Sequence, residues 1–289
     1  MSSGDEMYVE AVRASRMLKL HAIAIVATVV AYTVCILVFS GQAFNVLALS
    51  QLSPIKRASF IASSLASGQA YGLFVNGVGM AAAWALLGLG LLAAWRSLGG
   101  PGYVKGIAMG VGVVGIVSGV LMALSSQWVY TEIYNAVMSA LSKPGIRALL
   151  VSFSMQNAQQ SLLKISRAIS EATASMKPLP LLYVAAVLSV VAAALAAAGV
   201  EPVARRTGSK AVRAFQAFLF IYVFNGILGL LRVSLGPLSL VLALLLWGEP
   251  ITAWLTANRV TAYASSILIN TSSSFSQDTG LVGEGGGAE

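Results

Sequence analysis

Runs of apolar residues without a single formal charge constrain this chain more than any other feature. Residues 20–39, 71–95, 106–124, 181–200 and 214–231 contain no Asp, Glu, Lys or Arg. A hydrocarbon core about 30 Å thick is crossed by about 20 predominantly apolar residues in a helix, so each of these runs has spanning length or close to it. Residues 238–247 form a shorter apolar run. Continued through Gly248, Glu249 and Pro250 to Leu255, it reaches spanning length with an expected kink at Pro250. The runs are continuous rather than alternating, which selects helices over barrel strands. Composition agrees: 57% of residues are hydrophobic and 10% charged, against about 25% charged in soluble domains, so the chain lacks the polar surface a water-soluble fold needs.

The expected fold class is therefore all-α, a polytopic transmembrane helix bundle of six spans. Its expected organisation is a cytoplasmic N-terminal segment (1–19), spans one to three (20–124), an extracytoplasmic helical segment (125–180), spans four to six (181–255), and a polar C-terminal tail (256–289) with a disordered end. The apolar run behind Arg13, Arg16 and Lys19 is too long for a cleaved signal and reads as a retained anchor.

Lys and Arg place the N-terminus, and with it the C-terminus, in the cytoplasm. Ten then lie inside and eight outside, and the compact cluster of Arg205, Arg206, Lys210 and Arg213 weighs most, because long translocated segments count for less. The expected location is the cell membrane. A net charge of +8 that merely punctuates hydrophobic runs does not make a nucleic-acid stripe, so nucleic acid is excluded as a partner. Cys35 stands alone mid-run and can form neither an intrachain disulfide nor a metal cluster.

Residues 125–180 are helical by period. Tyr130, Ile133, Tyr134, Val137, Met138 and Leu141 recur at helical spacing up to a stop near Lys143, Pro144 and Gly145. Ile146, Leu149, Leu150 and Phe153 form one stripe, and Leu162, Ile165, Ile169, Ala172 and Met176 another, about 120° away at 100° per residue. A hinge is expected at Gln156 to Gln160. Residues 41–70 read as a loop containing a short helix near 55–65.

Catalytic groups are sparse. The single histidine, His21, sits at the inner end of span one and reads as a solvated anchor. No cofactor, no metal site and no enzymatic activity are expected. Ionisable residues in spans are functional candidates by default, which leaves Glu249, read either as snorkelling to the interface or packing, or as an ion-coupling carboxylate. Arg232 reads as part of the link between spans five and six, with Gly236 and Pro237.

Small residues are better organised. Gly106 and Gly110 share one face of span three, and Gly112, Gly115 and Gly119 the opposite face. Span two aligns Gly72, Asn76 and Gly79, and span five aligns Tyr222, Asn225, Gly226 and Gly229. Such residues let helix backbones approach closely. Asn76, Tyr222 and Asn225, with Ser118, either line a small polar cavity or hydrogen-bond between helices, at about 0.6–2 kcal/mol each. The leading expectation is a non-catalytic component of a membrane assembly, packed against other subunits or a second copy. The alternative is a transporter or channel for a small neutral or apolar solute.

Overall fold

The computed structural model describes residues 3–177, 179–231 and 245–280. Among them every regular element is helical. In chain order these are α1 (Ser3–Ala43), α2 (Val46–Gln51), α3 (Pro54–Leu98), α4 (Tyr103–Leu124), α5 (Ser126–Leu141), α6 (Pro144–Val151), α7 (Ala158–Ala174), α8 (Pro180–Thr207), α9 (Lys210–Leu230) and α10 (Gly248–Gly280).

Five helical stretches are long and apolar enough to cross a membrane: Asp5–Gln51, Pro54–Leu98, Tyr103–Leu141, Pro180–Thr207 and Lys210–Leu230. The first three are longer than the apolar runs inside them. The 45 residues of α3 rise about 68 Å at 1.5 Å per residue, more than twice the hydrocarbon thickness. Residues expected to form a loop at 54–70 are thus the first turns of α3. Pro54 opens the helix where no amide partner is needed, and the Ser- and Ala-rich stretch behind it holds no breaker. Gly68, the one weak point, lies against Phe39 of α1, whose Cβ would be 2.8 Å from an added methyl. At the N-terminus α1 likewise starts at Ser3, so residues 3–19 of the expected N-terminal segment are helix, with Ala11, Ala14 and Leu18 buried.

The sixth span is recast. Its residues 238–244, with Arg232, Gly236 and Pro237, lie outside the described residues. Pro250 does not kink a helix; it falls in the first turn of α10, where its missing N–H costs nothing. The stretch read as a polar tail is mostly the body of α10, which runs 33 residues to Gly280. Its buried side chains Thr252, Ala253, Thr256, Ala257, Val260 and Ala264 recur every three or four residues, a stripe facing α9. Residues 281–289, including Gly285, Gly286 and Gly287, lie outside the described residues.

The chain divides into two compact units. One comprises Ala27–Met80 and Ser118–Ala185. Within it lies a helical cap in which α7 packs on α5 and α6, around Ile61, Val137, Leu141, Leu150 and Ile165. Here the expected stop appears, and the chain breaks at residues 152–157, earlier than the expected hinge, since Ala158, Gln159 and Gln160 already belong to α7. Lys143 caps α6 with Pro144 in its first turn, and the chain breaks after Val151, where Asn157 accepts from the Ser154 amide and donates to the Ser152 carbonyl. Within the cap, Arg57 is 8% exposed. Its guanidinium donates to the carbonyls of Leu49 at 2.7 Å and Leu150 at 2.5 Å, near the ends of α2 and α6, and lies 5.5 Å from the Phe153 ring.

The other unit comprises Met1–Val26, Ala81–Val117 and Ala186–Glu289. Its core relies on small side chains. Ala192, Ala193, Ala196 and Ala197 of α8 are fully buried, as are Val212 and Phe215 of α9. This unit holds the candidate site.

Candidate functional site

Helices α1, α3, α9 and α10 converge on one histidine. His21, 1% exposed, bonds through Nδ1 to the carbonyl of Ala83 at 2.8 Å and through Nε2 to Oε1 of Glu249 at 2.7 Å. Glu249 is itself 6% exposed. Burial decides between the readings of these two residues. His21 is buried rather than a solvated anchor, and Glu249 packs inside the bundle rather than snorkelling; the two lie 228 positions apart in the chain and meet within one compact unit. Burial follows from the small residues around them: Ala22, Ala83 and Ala253 are each no more than 4% exposed and let the backbones close in.

The chemistry of the pair is fixed by its first partner. A backbone carbonyl only accepts, so Nδ1 must carry a proton and donate it to Ala83. In the neutral imidazole Nε2 is then a bare lone pair facing a carboxyl oxygen. A 2.7 Å contact there requires one proton between the two atoms, on Glu249 as a carboxylic acid or on His21 as an imidazolium facing a carboxylate. The pair therefore holds an exchangeable proton at a buried position. Removing it leaves two acceptors in contact, one of them charged.

The surroundings add rings and unused donors. Phe215 meets the imidazole edge-on at 6.5 Å, and Trp84, next to Ala83, meets Tyr222 edge-on at 5.9 Å. The Tyr222 hydroxyl bonds the Ser189 hydroxyl of α8 at 2.9 Å and lies within electrostatic reach of Glu249. Lys19, on α1, lies 5.3 Å over the Trp254 ring of α10. Trp84 Nε1 and Thr256 Oγ1 are buried and have no hydrogen-bond partner among the described residues. Buried polar atoms ordinarily find a protein or water partner, so each of these two has a hydrogen bond still to make.

The remaining candidates fall into separate settings. Asn76 donates to the Met122 sulfur at 3.2 Å and Ser118 to the Ala185 carbonyl at 2.7 Å, both within the cap-bearing unit. Tyr222 and Asn225 belong to the other unit, with Asn225 half-buried on α9. An added Cβ would meet Tyr32 at Gly72 and would collide with Thr28 at Gly79, Trp84 at Gly115 and Val190 at Gly226. At Gly110 it would meet Leu195; the backbones of Gly112 and Gly119 are approached by Gly88 and Gly77 of α3. At Gly106 and Gly229 an added Cβ would meet nothing within 4 Å among the described residues.

The signal for the site that sequence reasoning passed over was the stripe of Glu249, Thr252, Ala253, Thr256 and Ala257, which gives α10 a buried face beginning at a carboxylate in its first turn. Among the described residues, no three His, Cys, Asp or Glu side chains group as a metal site would need. The chain matches no known protein family, no curated protein and no solved structure. Function must be read from the site.

Proposed function

We propose that this is a non-catalytic multi-pass membrane protein that moves a small neutral solute in exchange with, or together with, a proton carried by the His21–Glu249 pair. The single observation behind this reading is the buried 2.7 Å contact between a ring nitrogen and a carboxyl oxygen. Ionisable groups are costly inside a membrane bundle and commonly serve proton or ion pathways. A structural hydrogen bond could be made more cheaply by an uncharged pair. Loss of the shared proton would drive α1 and α10 apart at this point, which links protonation to helix position. The unpartnered donors Trp84 Nε1 and Thr256 Oγ1 suit a neutral polar solute or its water.

The test uses the full-length protein in liposomes containing a trapped pH dye. A panel of polyols, amides and monosaccharides is added outside. At least one should elicit proton movement with the wild type and none with Glu249→Gln. In parallel, nitrogen NMR of the only imidazole in the chain reports whether Nε2 carries a proton and whether that state changes when solute is added. A silent solute panel together with an imidazole whose state never changes would sink the reading.

A second reading, a subunit of a larger membrane assembly, draws on Gly106 and Gly229, small positions open on α4 and α9. Native mass spectrometry from mild detergent would favour it by returning stoichiometric partners.

A further inference from the structure

A second polar site lies at the turn between α8 and α9, apart from the histidine pair and independent of the transport reading. A cleft of about 480 Å³ is lined there by Thr207, Ser209, Lys210, Arg259 and Tyr263. Gly208, at φ +58°, allows the chain to reverse tightly between the two helices.

The neighbouring basic residues already have partners. Arg205 pairs with Glu201 at 2.6 Å, and Arg206 donates to the Leu98 carbonyl. Lys210 and Arg259 are exposed and make no ion pair among the described residues, and no acidic side chain lines the cleft. Ser209 caps α9 without a side-chain hydrogen bond, so its hydroxyl remains available.

From this arrangement we infer that the cleft binds a phosphate group. Two unneutralised cations of different shape, a guanidinium and an ammonium, with the Ser209 and Tyr263 hydroxyls as further donors, suit a tetrahedral oxyanion better than a single carboxylate, which one cation would satisfy. The cleft also sits where the uncharged run of α8 ends at Val200 and charge begins at Glu201. That is the level of a bilayer's headgroups, and basic pockets between helices there attract anionic lipid. A phospholipid headgroup and free phosphate share this chemistry, and the experiment separates them.

The full-length protein is placed in nanodiscs of phosphatidylcholine with increasing phosphatidylglycerol, and retained lipid is counted by native mass spectrometry. In a second arm, inorganic phosphate is titrated in detergent and followed by phosphorus NMR. The double variant Lys210→Gln/Arg259→Gln is compared with Arg16→Gln/Lys105→Gln, which removes the same charge elsewhere, and with the charge-conserving Lys210→Arg/Arg259→Lys. Loss of two contacts at an anionic surface should weaken retention roughly 30-fold in the first variant, equivalent to about 2 kcal/mol. The control should stay within about twofold of wild type, and the charge-conserving variant should bind, showing that the fold is intact. A loss confined to phosphatidylglycerol assigns a lipid headgroup, and a loss confined to inorganic phosphate assigns a soluble ligand. Equal behaviour of the cleft variant and its charge-matched control in both arms overturns the site.

Discussion

Replacing Arg57 by Met removes the guanidinium while keeping most of the aliphatic volume, and the cost can be worked from its contacts. Arg57 donates to the carbonyls of Leu49 and Leu150 at 2.7 and 2.5 Å, and more weakly to Ser50 at 3.4 Å. Stranding a buried acceptor costs about 1–3 kcal/mol, so the two short bonds account for about 2–6 kcal/mol. The Phe153 contact adds about 0.5–1 kcal/mol, and loss of a cation near two helix C-termini a few tenths more. Ser50 is only half-buried, and water can reach part of this surface, which favours the lower half of the range. A value of about 3 kcal/mol corresponds to roughly 100-fold faster opening, at 1.4 kcal/mol per decade. Hydrogen exchange by mass spectrometry in nanodiscs should show that acceleration in peptides covering 46–57 and 144–153, while α9 and α10 keep wild-type rates. Arg57→Lys, able to reach one carbonyl but not both, should fall between. Exchange in the cap within about threefold of wild type for Arg57→Met, less than 0.7 kcal/mol, would refute the assignment of Arg57 as the clamp between α2 and α6.

Four further substitutions check the packing. Gly115→Ala drives a methyl into Trp84 and should lower thermal stability by about 1–3 kcal/mol, read from the unfolding midpoint in detergent. Gly106→Ala and Gly229→Ala meet nothing within 4 Å and should leave that midpoint unchanged or slightly raised, since alanine is the better helix former; a loss of native mass in either would instead expose a subunit contact. Tyr222→Phe deletes one interhelical hydrogen bond to Ser189 and should cost only about 0.6 kcal/mol by the same assay.

Much of the helical plan was legible because bilayer length and helical period act on local sequence. The five uncharged runs, the stop before Pro144 and the hinge near Asn157 all depend on residues within a few turns of one another. The outer turns of α3 were missed because Ser and Ala carry little hydropathy, yet nothing between Lys56 and Ala70 breaks a helix. The body of α10 was missed for a related reason. Arg259, Asn258 and its many hydroxyls lower the mean hydropathy, while the buried Ala253, Ala257, Val260 and Ala264 are small enough to be overlooked. The His21–Glu249 contact could not be read at all. A separation of 228 residues leaves no local trace, and His21 looks like an ordinary interfacial residue until another helix covers it.

The two buried ionic features differ in a way that decides which of them can act as a switch. Arg57 carries a fixed charge, because a guanidinium stays protonated in proteins and its carbonyl partners never ionise. The His21–Glu249 contact instead depends on a proton that can leave. As pH rises and that proton departs, the Nε2 lone pair faces a carboxylate at a distance that is now 2.7 Å, and the contact must open. Lys19, which lies over the Trp254 ring, and Tyr222, within electrostatic reach of Glu249, are titratable groups on the same helices. Hydrogen exchange, corrected for the intrinsic base-catalysed rate, should therefore show the first turns of α10, residues 249–256, losing protection with rising pH, whereas the cap around Arg57 holds steady. Glu249→Gln supplies the control that isolates the cause. A glutamine amide donates to Nε2 without any shared proton, so the helices stay together and the pH dependence vanishes. Identical corrected pH profiles for wild type and Glu249→Gln would mean that the pair is a structural hydrogen bond, and the proton-coupled reading would fall with it.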